Sequence, residues 1–136
     1  MKVLLSVKPE FAEKILSGEK KYEFRKCLPR QKNVHIVLIY ATMPVGKIVG
    51  EFYIDRFIKD TPKNLWVETK EHAGITKLYF DEYFHGRKVA CAIAIKSVKR
   101  YRKEIELRAV LPNALAPSLS VMLGPLKLAW IDVIFN

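Results

Sequence analysis

The stretch "VHIVLIYAT" at 34–42 constrains this chain more than any other. It is a nearly unbroken run of β-branched and apolar residues, short enough for one strand, and it reads as the buried centre of a sheet. Neighbours for that strand are easy to find. "KVLLSV" at 2–7 is a short apolar strand, and a charged strand is expected at 21–26. After a turn marked by Pro44 and Gly46, "KIVGEFYIDRFIK" at 47–59 is a long strand. Gly50 inside it predicts a bulge or a close backbone approach. Residues 88–107 return to strand, apolar at first and then basic.

Helices fall between these strands. In "PEFAEKILSG" Pro9 suits a first helical turn, Phe11, Ile15 and Leu16 recur at helical spacing beside Ala12, and Gly18 fits the C-terminal cap. "DTPKNLW" starts a polar helix, and "TKLYFDEYFHG" reads as another ending at Gly86. The fold class is therefore α+β, a mixed or closing sheet with helices at its ends. The 136 residues, half of them hydrophobic, suffice for one domain with its own core. Residues 110–136 differ in composition, with one lysine, one aspartate and three prolines. They are expected to form a C-terminal extension whose "LAWIDVIF" packs on the core as a last strand.

The net charge of +10 favours anionic partners such as nucleic acid or nucleotides, although excess charge also serves solubility. Cys27 and Cys91 are far apart and no CxxC occurs, so neither a zinc site nor a redox motif is indicated. No metal or cofactor is expected. No leader is visible, and no apolar run approaches the roughly 20 residues that cross a bilayer. A reducing, cytoplasmic setting without membrane contact is the expectation. No P-loop, nucleophile-elbow or dinucleotide fingerprint is present.

Positions 17–26, "SGEKKYEFRK", mix charges of both signs with two aromatics. Regular strand alternation puts Lys20, Tyr22, Phe24 and Lys26 on one side and Lys21, Glu23 and Arg25 on the other. A solvated face with weak cross-strand ion pairs explains that pattern. So does a binding site, on one condition: Lys20 meets Glu23 only if it still lies in the turn after Gly18.

The order of blocks tells more. The helix ending in Leu16-Ser17-Gly18-Glu19-Lys20 and the charged strand after it resemble the Gly-x-Lys-x-x-x-x-Arg signature of the ASCH family, a branch of the PUA-like β-barrels. Gly18, Lys20 and Arg25 supply that signature. Pro44 to Glu51 is similar to the family's next strand pair, and "YFHGRKVACAIAI" follows in order, so the resemblance covers about residues 2–108. In the tail, Ala116-Pro117-Ser118-Leu119 stands where some members carry Pro-Gln-Ser-aromatic. The resemblance implies a small mixed β-barrel with helices at its ends and a cleft between the first helix and the signature strand. It also implies RNA or a modified nucleoside as ligand, since PUA-like domains bind RNA or grip modified bases. One bacterial branch hydrolyses N4-acetylcytidine with the signature lysine, a threonine three residues later and a glutamate further along. Another member has been described as a ribonuclease. Lys20 matches the lysine; the threonine position holds Glu23; Glu71 lies only in the neighbourhood of the glutamate.

A lysine acts as base or nucleophile when burial or nearby cations lower its pKa. Lys21 and Arg25 are placed to do so for Lys20, and Glu23 to oppose it. Glu23 also removes the hydroxyl, which weighs against the amidohydrolase chemistry and toward recognition. For recognition, Lys8, Lys20 and Lys21 offer point charges, Arg25 a planar fork, and Glu23 an acceptor for a base amine or ribose hydroxyl. "IKSVKRYRK" at 95–103 adds Lys99, Arg100, Tyr101, Arg102 and Lys103. Alternation puts Lys99, Tyr101 and Lys103 on one face and Arg100 and Arg102 on the other. Such a segment can follow an RNA backbone and stack a base, or it can protect a strand edge.

Tyr79, Phe80, Tyr83 and Phe84 recur as helix core. Trp66 is read as packing, and His35, inside the apolar run, as a satisfied core residue. Three functions follow from these readings. One is an RNA- or nucleotide-binding module using Lys8, Lys20, Glu23 and Arg25. Another is a hydrolase on RNA or a nucleoside with Lys20 and Glu23 catalytic. The last is a protein-interaction module with a basic face.

Overall fold

Among the described residues, five strands and three helices are built largely where the hydrophobic periodicity puts them. The computed structural model describes residues 2–29 and 33–109. In chain order the elements are β1 (Lys2–Val7), α1 (Pro9–Ser17), β2 (Tyr22–Arg25), β3 (Ile36–Ala41), β4 (Lys47–Asp60), α2 (Pro62–Thr69), α3 (Lys77–Tyr83) and β5 (Ala90–Ile105). Short 3-10 turns occupy Lys70–His72 and Leu107–Ala109. The expected extension at 110–136, with its last strand, lies outside the described residues.

Local chemistry fixes the helix ends. Pro9 opens α1, and Gly18 closes it at φ +87°, a left-handed turn that its missing side chain permits. Thr61 and Thr76 accept hydrogen bonds from the N–H groups of Asn64 and Tyr79 and so cap α2 and α3. The last of these ends at Tyr83, three residues before Gly86.

All five strands form one mixed sheet in the order β1-β3-β4-β5-β2. The β1–β3 pair is parallel and the other three pairs are antiparallel. One core lies between α1 and the sheet, where Ala12, Ile15 and Leu16 meet Val3, Leu5, Val7, Val37, Ile39, Phe52 and Ile93. A second core lies under α2 and α3, where Phe24 stacks edge-on against Phe80 and Phe84 at 5.2 and 6.2 Å between centroids. Both faces of β2 are therefore covered.

The expected closed barrel is not formed among the described residues: β1 and β2 remain edge strands. The sheet nevertheless curls far enough for Arg25 on β2 to donate from Nη2 to the Ser6 carbonyl on β1, 2.7 Å away. Twist and register breaks in β3, β4 and β5 supply this curvature. Gly50 fits both of its expected roles. It sits at a break in the β4–β5 register, and a Cβ there would lie 2.5 Å from the Lys99 carbonyl oxygen and 2.7 Å from a Leu16 methyl.

His35 corrects its expectation. It precedes β3, which begins at Ile36, and its side chain is exposed; its carbonyl accepts from the Ile54 N–H. Trp66 packs against Phe80 as expected, with centroids 5.0 Å apart.

Candidate functional site

The bend after α1 decides how the charged segment is arranged. Gly18 reverses the chain and β2 begins only at Tyr22, so Lys20 lies in the turn and escapes the strand alternation. Its N–H donates to the Lys14 carbonyl. Its side chain runs inward and is 1% exposed. The Nζ donates to the Ala73 carbonyl at 2.6 Å and lies 4.6 Å from the Phe24 ring centroid and 5.6 Å from that of Phe11. Gly74 makes room for the lysine stem: at φ +67° it turns a bare Cα toward Lys20, and a Cβ there would fall 2.5 Å from Lys20 Cβ. Lys14 reaches the same loop through the Gly74 carbonyl.

Glu23 and Arg25 stand on the α1 side of β2, opposite Ile93 and Cys91 of β5. Both are buried, which overturns the solvated-face reading. Glu23 Oε2 is 3.9 Å from Arg25 Nη2, too far for a hydrogen bond, and has no hydrogen-bond partner among the described residues. A buried acceptor left open is uncommon.

Burial pulls the Lys20 ammonium down to about 8. Glu23 opposes the shift, while Lys14 and Arg25 add to it. The opposition from Glu23 is as expected, but desolvation is the larger effect. The cations that assist are Lys14 and, as expected, Arg25; the exposed Lys21 is not among them, and its backbone joins His72 to Ile95. Tyr83 is a neighbour the sequence did not indicate. Burial pushes its phenol up, and the charges of Glu23 and Arg25 both act on it.

Other expected site residues are not gathered here. Lys8 is exposed, with its Nζ 5.1 Å from the Tyr79 ring centroid. Glu71 is exposed on the 3-10 turn, although Ala73 two residues later caps Lys20.

In the basic segment of β5 Arg100, Arg102 and Glu104 line one groove and Lys99 and Lys103 do not, as alternation predicts, but Tyr101 joins the first set. Gly50 pairs with Arg100 and Ile48 with Ile105, so Val49 alone stands against residues 101–104. The β4–β5 ladder is interrupted there. Arg100 is held by Glu13 of α1 in a two-bond fork of 2.9 and 2.7 Å. The Tyr101 hydroxyl donates to the buried Glu51 at 2.7 Å. Burial and Glu51 together raise that phenol, so it remains a donor at neutral pH. Lys99, Arg102 and Lys103 are exposed. A groove of about 200 Å³ lies between this segment, α1 and the β3–β4 turn, and Lys20, Glu23 and Arg25 do not line it. The cleft expected between α1 and the signature strand is thus not the groove seen here.

Residues 5–105 match the ASCH domain. The chain belongs to the ASCH domain family. It is 31% identical over 93 residues to an ASCH domain-containing ribonuclease of Zymomonas mobilis subsp. mobilis, taking in 68% of this chain and 63% of that one. It is 29% identical over 106 residues to large ribosomal subunit protein uL22 of Ureaplasma parvum serovar 3, taking in 77% of this chain and 34% of that one. Thus the chain spans under two thirds of the length of these relatives. The crystal structure of ASCH from Zymomonas mobilis superposes with a TM-score of 0.76 at 27% identity, covering 96% of this chain and 87% of that one. The Gly18, Lys20 and Arg25 signature lies within the ASCH match. Among the described residues no helix is long and apolar enough to cross a membrane.

Proposed function

We propose that this ASCH protein acts on RNA, with Lys20, Glu23 and Arg25 as the reactive cluster. The observation that carries the reading is the joint burial of these three groups, with Lys20 lowered to about 8. A lysine in that range exchanges its proton near neutral pH, which general acid–base catalysis requires. Arg25, whose Nη2 holds the Ser6 carbonyl, places its positive charge beside the scissile phosphate, and the open oxygen of Glu23 accepts from a ribose 2′-hydroxyl. In strand cleavage the 2′-oxygen bonds to phosphorus as the bond from phosphorus to the 5′-oxygen breaks. Glu23 takes the hydroxyl proton and Lys20 supplies one to the departing oxygen. A substrate oxygen replaces the Ala73 carbonyl at Nζ. Lys8, Lys21, Lys99, Arg102 and Lys103 extend the cationic surface for the backbone. The ribonuclease-named relative supports this substrate class, and the Arg25–Ser6 bridge supports a PUA-like closure of the sheet. A cytoplasmic setting accords with an RNA substrate.

The lowered Lys20 also favours a second reading, hydrolysis of a modified nucleoside such as N4-acetylcytidine. With Glu23 where a hydroxyl nucleophile would stand, water activated by Glu23 would attack the acyl carbon.

Incubation with labelled RNA and with N4-acetylcytidine separates the readings. The expected result is RNA cleavage that is lost in Lys20→Ala and in Glu23→Gln while the RNA is still bound. Turnover of the nucleoside alone would replace the first reading with the second. Binding without turnover of either substrate would leave a recognition module, and capture of an acidic protein that RNA does not displace would favour the protein-interaction function.

A further inference from the structure

The groove beside β5 has a chemistry of its own. Its floor is apolar, from Ala12 and Leu16 of α1 and Val49 of β4. Tyr101 forms one wall, and Arg100 and Arg102 stand at the rim. Two carboxylates also line it, Glu13 and Glu104. At about 200 Å³ it is smaller than the roughly 300–1,000 Å³ of pockets that enclose drug-sized ligands. It suits one planar ring with the rest of the ligand outside.

The walls are fixed in advance. The hydroxyl of Tyr101 is tied to Glu51, a carboxylate only 8% exposed. This bond holds the phenol ring, so little ordering remains when a base stacks on it. Arg100 is tied by the Glu13 fork, which neutralises Glu13 and leaves the flat guanidinium face as a second surface. Arg102 is exposed and makes no ion pair among the described residues, so its fork is open to a phosphate. Lys99 and Lys103 add charge nearby. Glu104, also exposed, can accept from an exocyclic amine. At residues 101–104, where the ladder opposite Val49 is interrupted, these groups come to one place.

We propose that this groove is a nucleotide subsite, separate from the Lys20 cluster, that takes one unstacked RNA base with an exocyclic amine against Tyr101 and its phosphate on Arg102. The substrate class rests on the RNA reading above; the site rests on the groove. Charge complementarity selects this occupant, because five cations fall within residues 95–103 of a chain with net charge +10. The subsite would hold the strand while the Lys20 cluster reacts, and would favour adenine and cytosine over uracil.

The test uses the full chain. Amide shifts are followed by NMR as AMP or UMP is added, and binding of labelled oligoadenylate and oligouridylate is measured by anisotropy. AMP should shift the amides of Ala12, Val49 and Arg102 more than UMP does. Tyr101→Leu should weaken oligoadenylate binding about tenfold, as expected for loss of one stacked base. That variant strips Glu51 of its donor, so Arg102→Ala, at an exposed position, is the second variant and should weaken binding of both oligomers. Shifts confined to other parts of the molecule, or wild-type affinity in both variants, would overturn the subsite. So would contacts from residues 110–136 to Ala12 and Val49 with no response to AMP, which would give the groove to the chain's own segment. Failure of the catalytic reading looks different: no RNA is cleaved, yet AMP still maps to this groove.

Discussion

Lys20 carries a cost and an opportunity in the same atom. Its stem is enclosed by Gly74 and two aromatic rings, and its ammonium donates to the Ala73 carbonyl. Burial brings it from an ordinary 10.5 to about 8. Between those values the unfolded chain holds more protons on this residue than the folded chain does, so stability rises with pH across that window. Below pH 8 the cost of keeping it charged is present in full. A shift of this size corresponds to roughly 3 kcal/mol. Lys20→Met keeps the apolar stem and removes the titration. Denaturant melts of both proteins from pH 7 to 10 should show wild type gaining on the variant by up to that amount, and a gap that does not move with pH would refute the burial account. The spacing Gly18-x-Lys20 was legible in the sequence, and so was the condition that Lys20 sit in the turn. Its enclosure was not, because Ala73 and Gly74 come from a loop more than fifty residues away.

At the scale of elements, α1 and the β4–β5 pair position both sites, and Gly50 is the point where they touch. The Lys99 carbonyl and a Leu16 methyl crowd the place a side chain would fill. Gly50→Ala should therefore cost about 1–3 kcal/mol, read as a lower urea midpoint. Because Arg100 pairs opposite Gly50, the strain should also loosen the Glu13–Arg100 fork, visible as a weaker response to Glu13→Gln in the variant background. Unchanged stability would mean that α1 does not rest on this strand as closely as described. Apolar runs and caps made most element positions readable: β4 at Lys47–Asp60 is nearly the segment expected. In β5 the same reasoning misplaces only Tyr101. Period-two alternation holds strictly only for a continuous ladder, and at the break opposite Val49 Tyr101 joins Arg100, Arg102 and Glu104 along the groove. The pairs that fix this region, Glu13 with Arg100 and Glu51 with Tyr101, join residues 87 and 50 apart and leave no local signal.

For the molecule as a whole, the question is what the +10 charge does. Part of it is spent internally: Arg25, Lys14 and Lys20 hold backbone carbonyls, and Arg100 holds Glu13. Lys8, Lys21, Lys99, Arg102 and Lys103 remain exposed, and they are the groups able to release counterions from RNA. Single-stranded RNA loses affinity with a slope of about 0.7 in log salt for each phosphate neutralised. If the exposed cations engage about four phosphates, affinity for an oligoadenylate should fall roughly fifty-fold over a fourfold rise in salt. Arg102→Ala should lower the slope by about 0.7, whereas Lys20→Ala should leave it unchanged, because a buried ammonium meets no counterion cloud. A flat response in wild type would mean that the charge serves solubility and that RNA is not drawn in by this surface. A slope lowered by Lys20→Ala, but not by Arg102→Ala, would move the phosphate path from the β5 groove to the turn after α1.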